Sequence, residues 1–286
     1  MSKLRIAVQK SGRLNEESLN LLKSCGIRVD NGKDQLKVEV SGFPMEILYL
    51  RNSDIPQYLE DGVADIAIVG ENLLVEQAKQ VEVIERLGFA RCRLSLAVPK
   101  DTEIKGLEWF NGKRIATSYP ATVSAYLNER GISADLHVIS GSVEIAPSIG
   151  LADGIADLVS SGSTLFKNNL VEAATLLRSE AVLVKTLRSL AADKQALIER
   201  LLFRIRAVLR ARTAKYILMN VPNTCIERVS AILPVLKSPT VLPLAEPGWS
   251  SLHSVIEEQQ FWEVIDELKA AGAEGILVVP IDKIVA

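Results

Sequence analysis

Cysteine and histidine are scarce in this 286-residue chain, with three and two copies. Cys25, Cys92 and Cys225 are far apart, odd in number and without metal-ligand spacing, which argues against a disulfide framework and a cysteine-held metal. They read as small buried hydrophobes in a reducing compartment. With only His137 and His253, a histidine-based zinc centre lacks its ligands. Charge of one sign is also missing. A net charge of -2 gives no electrostatic case for nucleic acid or an anionic membrane, so any basic site must be local. No apolar run free of charges approaches a membrane-spanning length. The first residues, Met1-Ser2-Lys3-Leu4-Arg5, enter a strand without the apolar core and cleavage site of a secretory signal. These absences predict a soluble, cytoplasmic protein. A glycine-rich loop ending in Lys-Ser or Lys-Thr, a G-x-G-x-x-G turn and a nucleophile elbow are absent too, and nothing supports covalent chemistry through Cys or Ser.

Hydrophobic residues make up 48% and charged residues 24%, an ordinary globular balance, and the length allows two or three domains. Short apolar runs alternate with helical patterns. Strands are predicted at 4–8, 45–50 and 66–69, with helices at 15–24, 54–61 and 72–79. Two extended runs follow at 81–87 and 93–98. A second series has strands at 114–117, 136–139 and 155–159, helices at 122–130 and 163–168, and a short helix near 145–150. A strand at 183–185 and a long helix at 191–212 close it. This βαβ order implies parallel sheets covered by helices. Two such units joined by extended crossings predict a bilobed, periplasmic-binding-protein-like core: lobe one from 1–90 and 181–212, lobe two from 91–180. Ligands would sit in the cleft, at the carboxyl ends of the strands, where Gly12, Gly70 and Gly162 all fall. The remainder, 213–286, has the order βαββαβ of a ferredoxin-like domain.

Asp157-Leu158-Val159-Ser160-Ser161-Gly162-Ser163-Thr164-Leu165 carries the most chemistry. It reads as the end of a buried strand, a tight hydroxyl-rich turn and a helix start. Gly162 allows close backbone approach. The hydroxyls of Ser160, Ser161, Ser163 and Thr164 can donate, and the free amides of a helix N-terminus point at the same place. Asp157 is unsuited to phosphate but suited to sugar hydroxyls or a bound magnesium ion, so the turn suggests a phosphorylated sugar. On local grounds a serine-rich helix cap is an equal alternative.

Other candidates are two-sided. Lys10, Gly12 and Arg13 close the first strand and either meet a polyphosphate or an adenine ring or form an exposed basic turn; Arg51 has the same ambiguity. Gly70 and Asn72 lie at a strand-to-helix turn, with Asn72 either a ligand contact or an early-helix polar residue. Tyr119 either packs on a sugar or covers the lobe edge. Glu144 either faces the same ribose or its metal as Asp157, or complements a helix dipole.

Taken together these residues resemble the ATP phosphoribosyltransferase family in its long form. Glu144, Gly150, Ala152, Ile155, Asp157-Leu158, Ser161-Gly162 and Thr164-Leu165 fit the family's phosphoribosyl-diphosphate signature at every defined position. Supporting matches are Gln9 to Leu14, Asp54-Ile55-Pro56, Gly62 to Asp65, Arg114 to Pro120, Ser238-Pro239-Thr240 and Pro243-Leu244. Gln9 and Ser11 depart from the commoner first turn, and the family commonly has an acid at Ser160 and Asp at Asn72. The resemblance implies transfer of phosphoribosyl from phosphoribosyl diphosphate to N1 of ATP, the first step of histidine biosynthesis. It implies catalytic roles for Asp157, Glu144 and Arg13 and a donor site of Asp157, Ser160 to Thr164 and Tyr119. The ATP site would take Lys10, Gly12, Arg13, Arg51, Gly70 and Asn72, and Mg2+ would be held by Glu144, Asp157 and substrate phosphates. It further implies L-histidine as inhibitor, at Leu236, Thr240, Val255 and Gly275, and a homo-oligomer moving between dimer and hexamer. The rivals are a non-catalytic bilobed small-molecule receptor with an amino-acid-sensing domain, and a regulatory subunit for a partner enzyme.

Overall fold

The computed structural model describes residues 3–29, 35–233 and 238–285. It divides into two compact units, Met1–Ile198 and Glu199–Ala286.

The larger unit holds two sheets. The first is built from β1 (Leu4–Gln9), β2 (Arg28–Val29), β3 (Lys37–Ser41), β4 (Met45–Leu50), β5 (Ile66–Gly70) and β6 (Val81–Arg86), with α1 (Arg13–Ser24), α2 (Ile55–Glu60) and α3 (Glu71–Gln77). The chain then leaves to form β7 (Cys92–Pro99), β8 (Arg114–Thr117), β9 (Asp135–Val138), β10 (Gly154–Val159) and β11 (Leu170–Ser179), with α4 (Pro120–Glu129) and α5 (Ser163–Lys167). It returns as β12 (Ala181–Thr186) and runs into α6 (Ala192–Thr213). The first sheet has the order β2-β3-β4-β1-β5-β12-β6 and the second β11-β7-β10-β8-β9. The two extended runs near residues 81 and 93 therefore belong to different sheets, and the chain crosses between lobes twice. This is the bilobed arrangement expected.

The sheets are mixed rather than wholly parallel. β1 pairs parallel with β4 and β5, and β8 with β9 and β10, whereas the crossing strands β6, β7, β11 and β12 and the hairpin strand β3 run antiparallel to their neighbours. Central β5 reads Ile66-Ala67-Ile68-Val69, all buried, as a strand covered on both faces must be. The helix expected near residues 145–150 is a single 3-10 turn, Val143–Ile145, followed by turns. Pro147 removes an amide that a continuing helix would use.

An aspartate precedes the central strand of each lobe. The backbone N–H of Arg5 donates to Asp65 at 2.8 Å and that of Asp65 returns to the Arg5 carbonyl at 3.0 Å. Arg114 and Asp153 repeat both bonds at 2.9 Å. Asp65 is buried and accepts from Lys194 at 2.7 and 2.8 Å, tying α6 to the sheet.

The smaller unit contains the end of α6, β13 (Ala214–Pro222), α7 (Ile226–Ile232), β14 (Thr240–Pro243), β15 (Trp249–Glu257), α8 (Glu258–Ala270) and β16 (Glu274–Pro280). Its antiparallel order β14-β15-β13-β16 is the ferredoxin-like topology. Ile217, Met219 and Val221 alternate on β13 and pack with Val229, Leu252 and Leu268.

Candidate active site

β10 ends at the hydroxyl-rich turn. Gly162 caps α5 at φ 81°, in the left-handed region that glycine enters without penalty, while a Cβ there would meet nothing within 4 Å. The residue is needed for its backbone and not for space. Ser160, Ser161, Ser163 and Thr164 are exposed. Ser161 Oγ donates to Ser163 Oγ at 3.0 Å and accepts from the Ser163 amide at 3.4 Å. Arg93, paired with Glu172, also donates to the Ser160 carbonyl at 3.2 Å, holding the turn to β7. α5 has five residues, so its contribution is a few local amides rather than a long-helix dipole.

Asp157 sits half-buried behind this turn. Burial pushes its carboxyl above the ordinary range and the Glu144 charge adds to the push; the Leu158 amide, donating at 2.8 Å, opposes both. Glu144, from the 3-10 turn, is thus near enough for the two acids to feel each other. Burial also raises the Tyr119 phenol, to about 12, with the Asp157 charge contributing next. Tyr119 stays a neutral hydroxyl through the working pH range.

Asn72, in the first turn of α3, is buried. Its amide N–H and side-chain oxygen both bond Ser179 Oγ at 2.9 Å, and its Nδ2 donates to the Tyr119 hydroxyl at 3.3 Å. Lobe one thereby touches lobe two at two residues that the sequence singles out separately. A Cβ on Gly70 would lie 2.5 Å from Asn72 Oδ1, so Gly70 is needed for space, its φ of -73° being ordinary.

Lys10 and Arg51 follow the paired ends of β1 and β4, where Gln9 faces Leu50 and the Lys10 amide donates to the Leu50 carbonyl at 2.7 Å. Both are exposed. Gly12, at φ 89°, opens α1, and Arg13 pairs with Glu17 at 3.1 Å on the helix surface. These cations gather at the end of the β1–β4 pair.

Glu76, Ser179 and Thr117 were not singled out from the sequence. Thr117 Oγ1 donates to the Ala156 carbonyl at 2.7 Å and accepts from the Tyr119 amide at 3.0 Å, shaping the Tyr119 turn. Thr117 falls within the Arg114 to Pro120 match but is given no role there, and Glu76 and Ser179 are ordinary polar residues whose partners lie far away in the chain, so no local signal marks them.

Among the described residues no group of three or more His, Cys, Asp or Glu is arranged to hold a metal. Glu144 and Asp157 offer oxygen ligands, which suit magnesium rather than zinc and leave most of its coordination to substrate and water. None of the described helices is long and apolar enough to cross a membrane. In the smaller unit Thr240 is exposed on β14, Val255 half-buried on β15 and Gly275 on β16 at φ 56°. β14 and β16 are opposite edges of the sheet, so one chain does not bring Thr240 and Gly275 together. Leu236 lies outside the described residues.

Comparison with known proteins adds kinship to this geometry. A family profile described as ATP phosphoribosyltransferase matches residues 51–207, and one described as HisG, C-terminal domain, matches 211–283. A protein of Cytophaga hutchinsonii named ATP phosphoribosyltransferase is 57% identical over 282 residues, covering 99% of this chain and 98% of the relative. One of Bacteroides fragilis with the same name is 54% identical over 282 residues, covering 99% of both. Among solved structures, the ATP phosphoribosyl transferase (HisG:HisZ) complex from Thermotoga maritima matches at 30% identity and a TM-score of 0.61, over 71% of this chain and 98% of that one.

Proposed function

This chain belongs to the ATP phosphoribosyltransferase family, and we infer from that membership that its reaction is the family's. It is a transferase: N1 of the ATP adenine displaces pyrophosphate from the anomeric carbon of phosphoribosyl diphosphate, giving phosphoribosyl-ATP, the first step of histidine biosynthesis. The non-catalytic receptor and the regulatory subunit are not favoured at this level of kinship.

The turn after β10 carries the site reading. Its hydroxyls and amides, Ser160 to Thr164, take the 5-phosphate of the donor, with a half-buried acid, Asp157, directly behind. Adenine N1 is a weak nucleophile that brings no proton to remove, so the site needs no general base. The barrier falls through alignment and charge. Positive charge develops on the ribose and negative charge on the leaving pyrophosphate. Asp157 and Glu144 suit the former, and the cations Lys10, Arg13 and Arg51 suit the phosphates and the adenine face. Tyr119 closes the donor site against Asn72. Magnesium, when bound, neutralises the leaving group, and Glu144 and Asp157 are the residues to hold it with substrate oxygens.

The ferredoxin-like domain, from residue 213 onward, is the histidine sensor in this reading. Thr240 and Gly275 lie on opposite sheet edges, which favours an effector site assembled between copies and hence a homo-oligomer, dimer to hexamer. A cytoplasmic setting, supported by three cysteines that form no disulfide, belongs to the same proposal. Phosphoribosyl-ATP formation followed by absorbance, with and without histidine, tests both parts. The full chain is expected to make product and to be inhibited. A chain ending at Thr213 should lose the inhibition, and retained inhibition refutes the sensor role.

A further inference from the structure

Helix α4 lacks a cap of its own. Its N-cap residue is Tyr119, whose side chain makes no capping bond, and Pro120 behind it has no N–H to satisfy. The next two amides, of Ala121 and Thr122, donate instead to the two oxygens of Glu76, each at 2.9 Å. The Thr122 hydroxyl adds a third bond at 2.7 Å. Glu76 sits on α3, in lobe one, 45 residues before Ala121. A carboxylate at a helix N-terminus satisfies unpaired donors and meets the positive end of the helix. Here the acid comes from the opposite lobe. One turn earlier on the same helix, Asn72 holds the Tyr119 hydroxyl and the Ser179 hydroxyl. Two side chains of α3 thus grip the turn that carries Tyr119, and the acid makes three of the bonds.

We propose that Glu76 is a positioning residue, which caps α4 from the opposite lobe and thereby fixes how the phosphoribosyl turn of lobe two faces the cations of lobe one. Bilobed molecules open by hinge motion, and opening this one strips α4 of its cap. The cap therefore works against opening and holds the two half-sites in register. The donor's 5-phosphate draws on the Ser160–Thr164 turn of lobe two, while Tyr119 and the cations of lobe one complete the site, so donor affinity is less sensitive to the grip than turnover is. Turnover needs both lobes and is sensitive to it. The inference rests on the phosphoribosyl-transfer reading for its kinetic consequence, but the cap itself is testable without activity.

The experiment uses the full chain with Glu76→Ala and Glu76→Gln, the second keeping shape and one acceptor should the first not fold. Amide exchange across 119–127 reads the cap directly and is expected to accelerate at Ala121 and Thr122. Calorimetric affinity for phosphoribosyl diphosphate is expected to fall no more than a few-fold while kcat falls about 100-fold in Glu76→Ala, as misplacement of reacting groups does. Adding Ala121→Asp to Glu76→Ala gives α4 a local first-turn acid. It should restore thermal stability and leave kcat low. Recovery of kcat along with stability would mean that Glu76 merely caps a helix, overturning the positioning role. Unchanged exchange at Ala121 and Thr122 overturns the cap. If the wild-type chain makes no phosphoribosyl-ATP, the functional reading fails instead, and exchange alone decides the cap.

Discussion

Gly62-Val63-Ala64-Asp65 leads into β5 and Gly150-Leu151-Ala152-Asp153 leads into β10, and in both lobes the aspartate locks the neighbouring strand through a reciprocal pair of bonds, its carboxylate accepting from the strand's amide and its own amide donating to the same residue's carbonyl. Beyond these strands the lobes diverge. After β5 the turn is closed: Asn72 is buried, folded over Gly70 and bonded to Ser179 and Tyr119. After β10 the turn is open, with four hydroxyl residues exposed and a half-buried acid behind them. The same strand-turn-helix unit thus serves as a joint in one lobe and stays open to solvent in the other. Polar residues whose bonds are met within the protein hold structure, and polar residues left facing outward are available to a ligand.

The comparison can be broken most forcefully at its aspartates. Asp65 is buried with an ammonium partner, so Asp65→Asn leaves Lys194 uncompensated and should cost about 3–5 kcal/mol in urea unfolding. A cost near that of a surface pair would mean that the clamp is peripheral. At the open turn, Asp157→Asn should lower kcat about 100- to 1000-fold. Its stability should move the other way. A carboxyl raised by burial opposes folding when ionised, so removing the charge stabilises the protein at neutral pH, and the wild type gains stability as pH falls through the raised value. Loss of melting temperature in Asp157→Asn would contradict burial as the cause.

The two turn glycines sharpen the contrast, since they are needed for opposite reasons. Gly162→Ala should cost about 1–2 kcal/mol through its left-handed backbone, and Gly162→Asn less, because asparagine tolerates that region. Gly70→Ala and Gly70→Asn should be alike, both displacing Asn72. Equal losses at 162 for Ala and Asn, measured by thermal melting, would remove strain as the explanation. The smallest effect is at Asp153, half-exposed beside Arg114, where Asp153→Asn should cost at most about 1 kcal/mol. Arg114 holds the Asp153 carboxyl below its usual range, so this contribution is present above the unfolded pKa and fades as pH falls through the folded one. A pH-independent difference between mutant and wild type would contradict it.

Much of this was legible in the sequence, for physical reasons that differ between elements. β5 and β10 are apolar and central, and their turns carry glycine and hydroxyls at a strand end, so both were visible locally. β11 was not. It is an edge strand with two register shifts and scattered burial, so its side chains follow no regular alternation. The lobe boundary already separated 81–87 from 93–98, but which strands each pairs with was hidden, because strand order depends on contacts far along the chain. Tyr119 and Asn72 were suspected singly, and their bond needed the fold. Glu76 was invisible, since one glutamate in a short helix says nothing about a helix N-terminus in another lobe. Leu236, Thr240, Val255 and Gly275 came from resemblance alone, and the two edge positions do not meet within one chain.

The most direct test is a crystal structure of the full chain with phosphoribosyl diphosphate. The account predicts the 5-phosphate of the donor on the amides and hydroxyls of Ser161 to Thr164, with the Asp157 carboxylate at the ribose. A donor bound away from the β10 turn, with that turn facing only solvent, would contradict it.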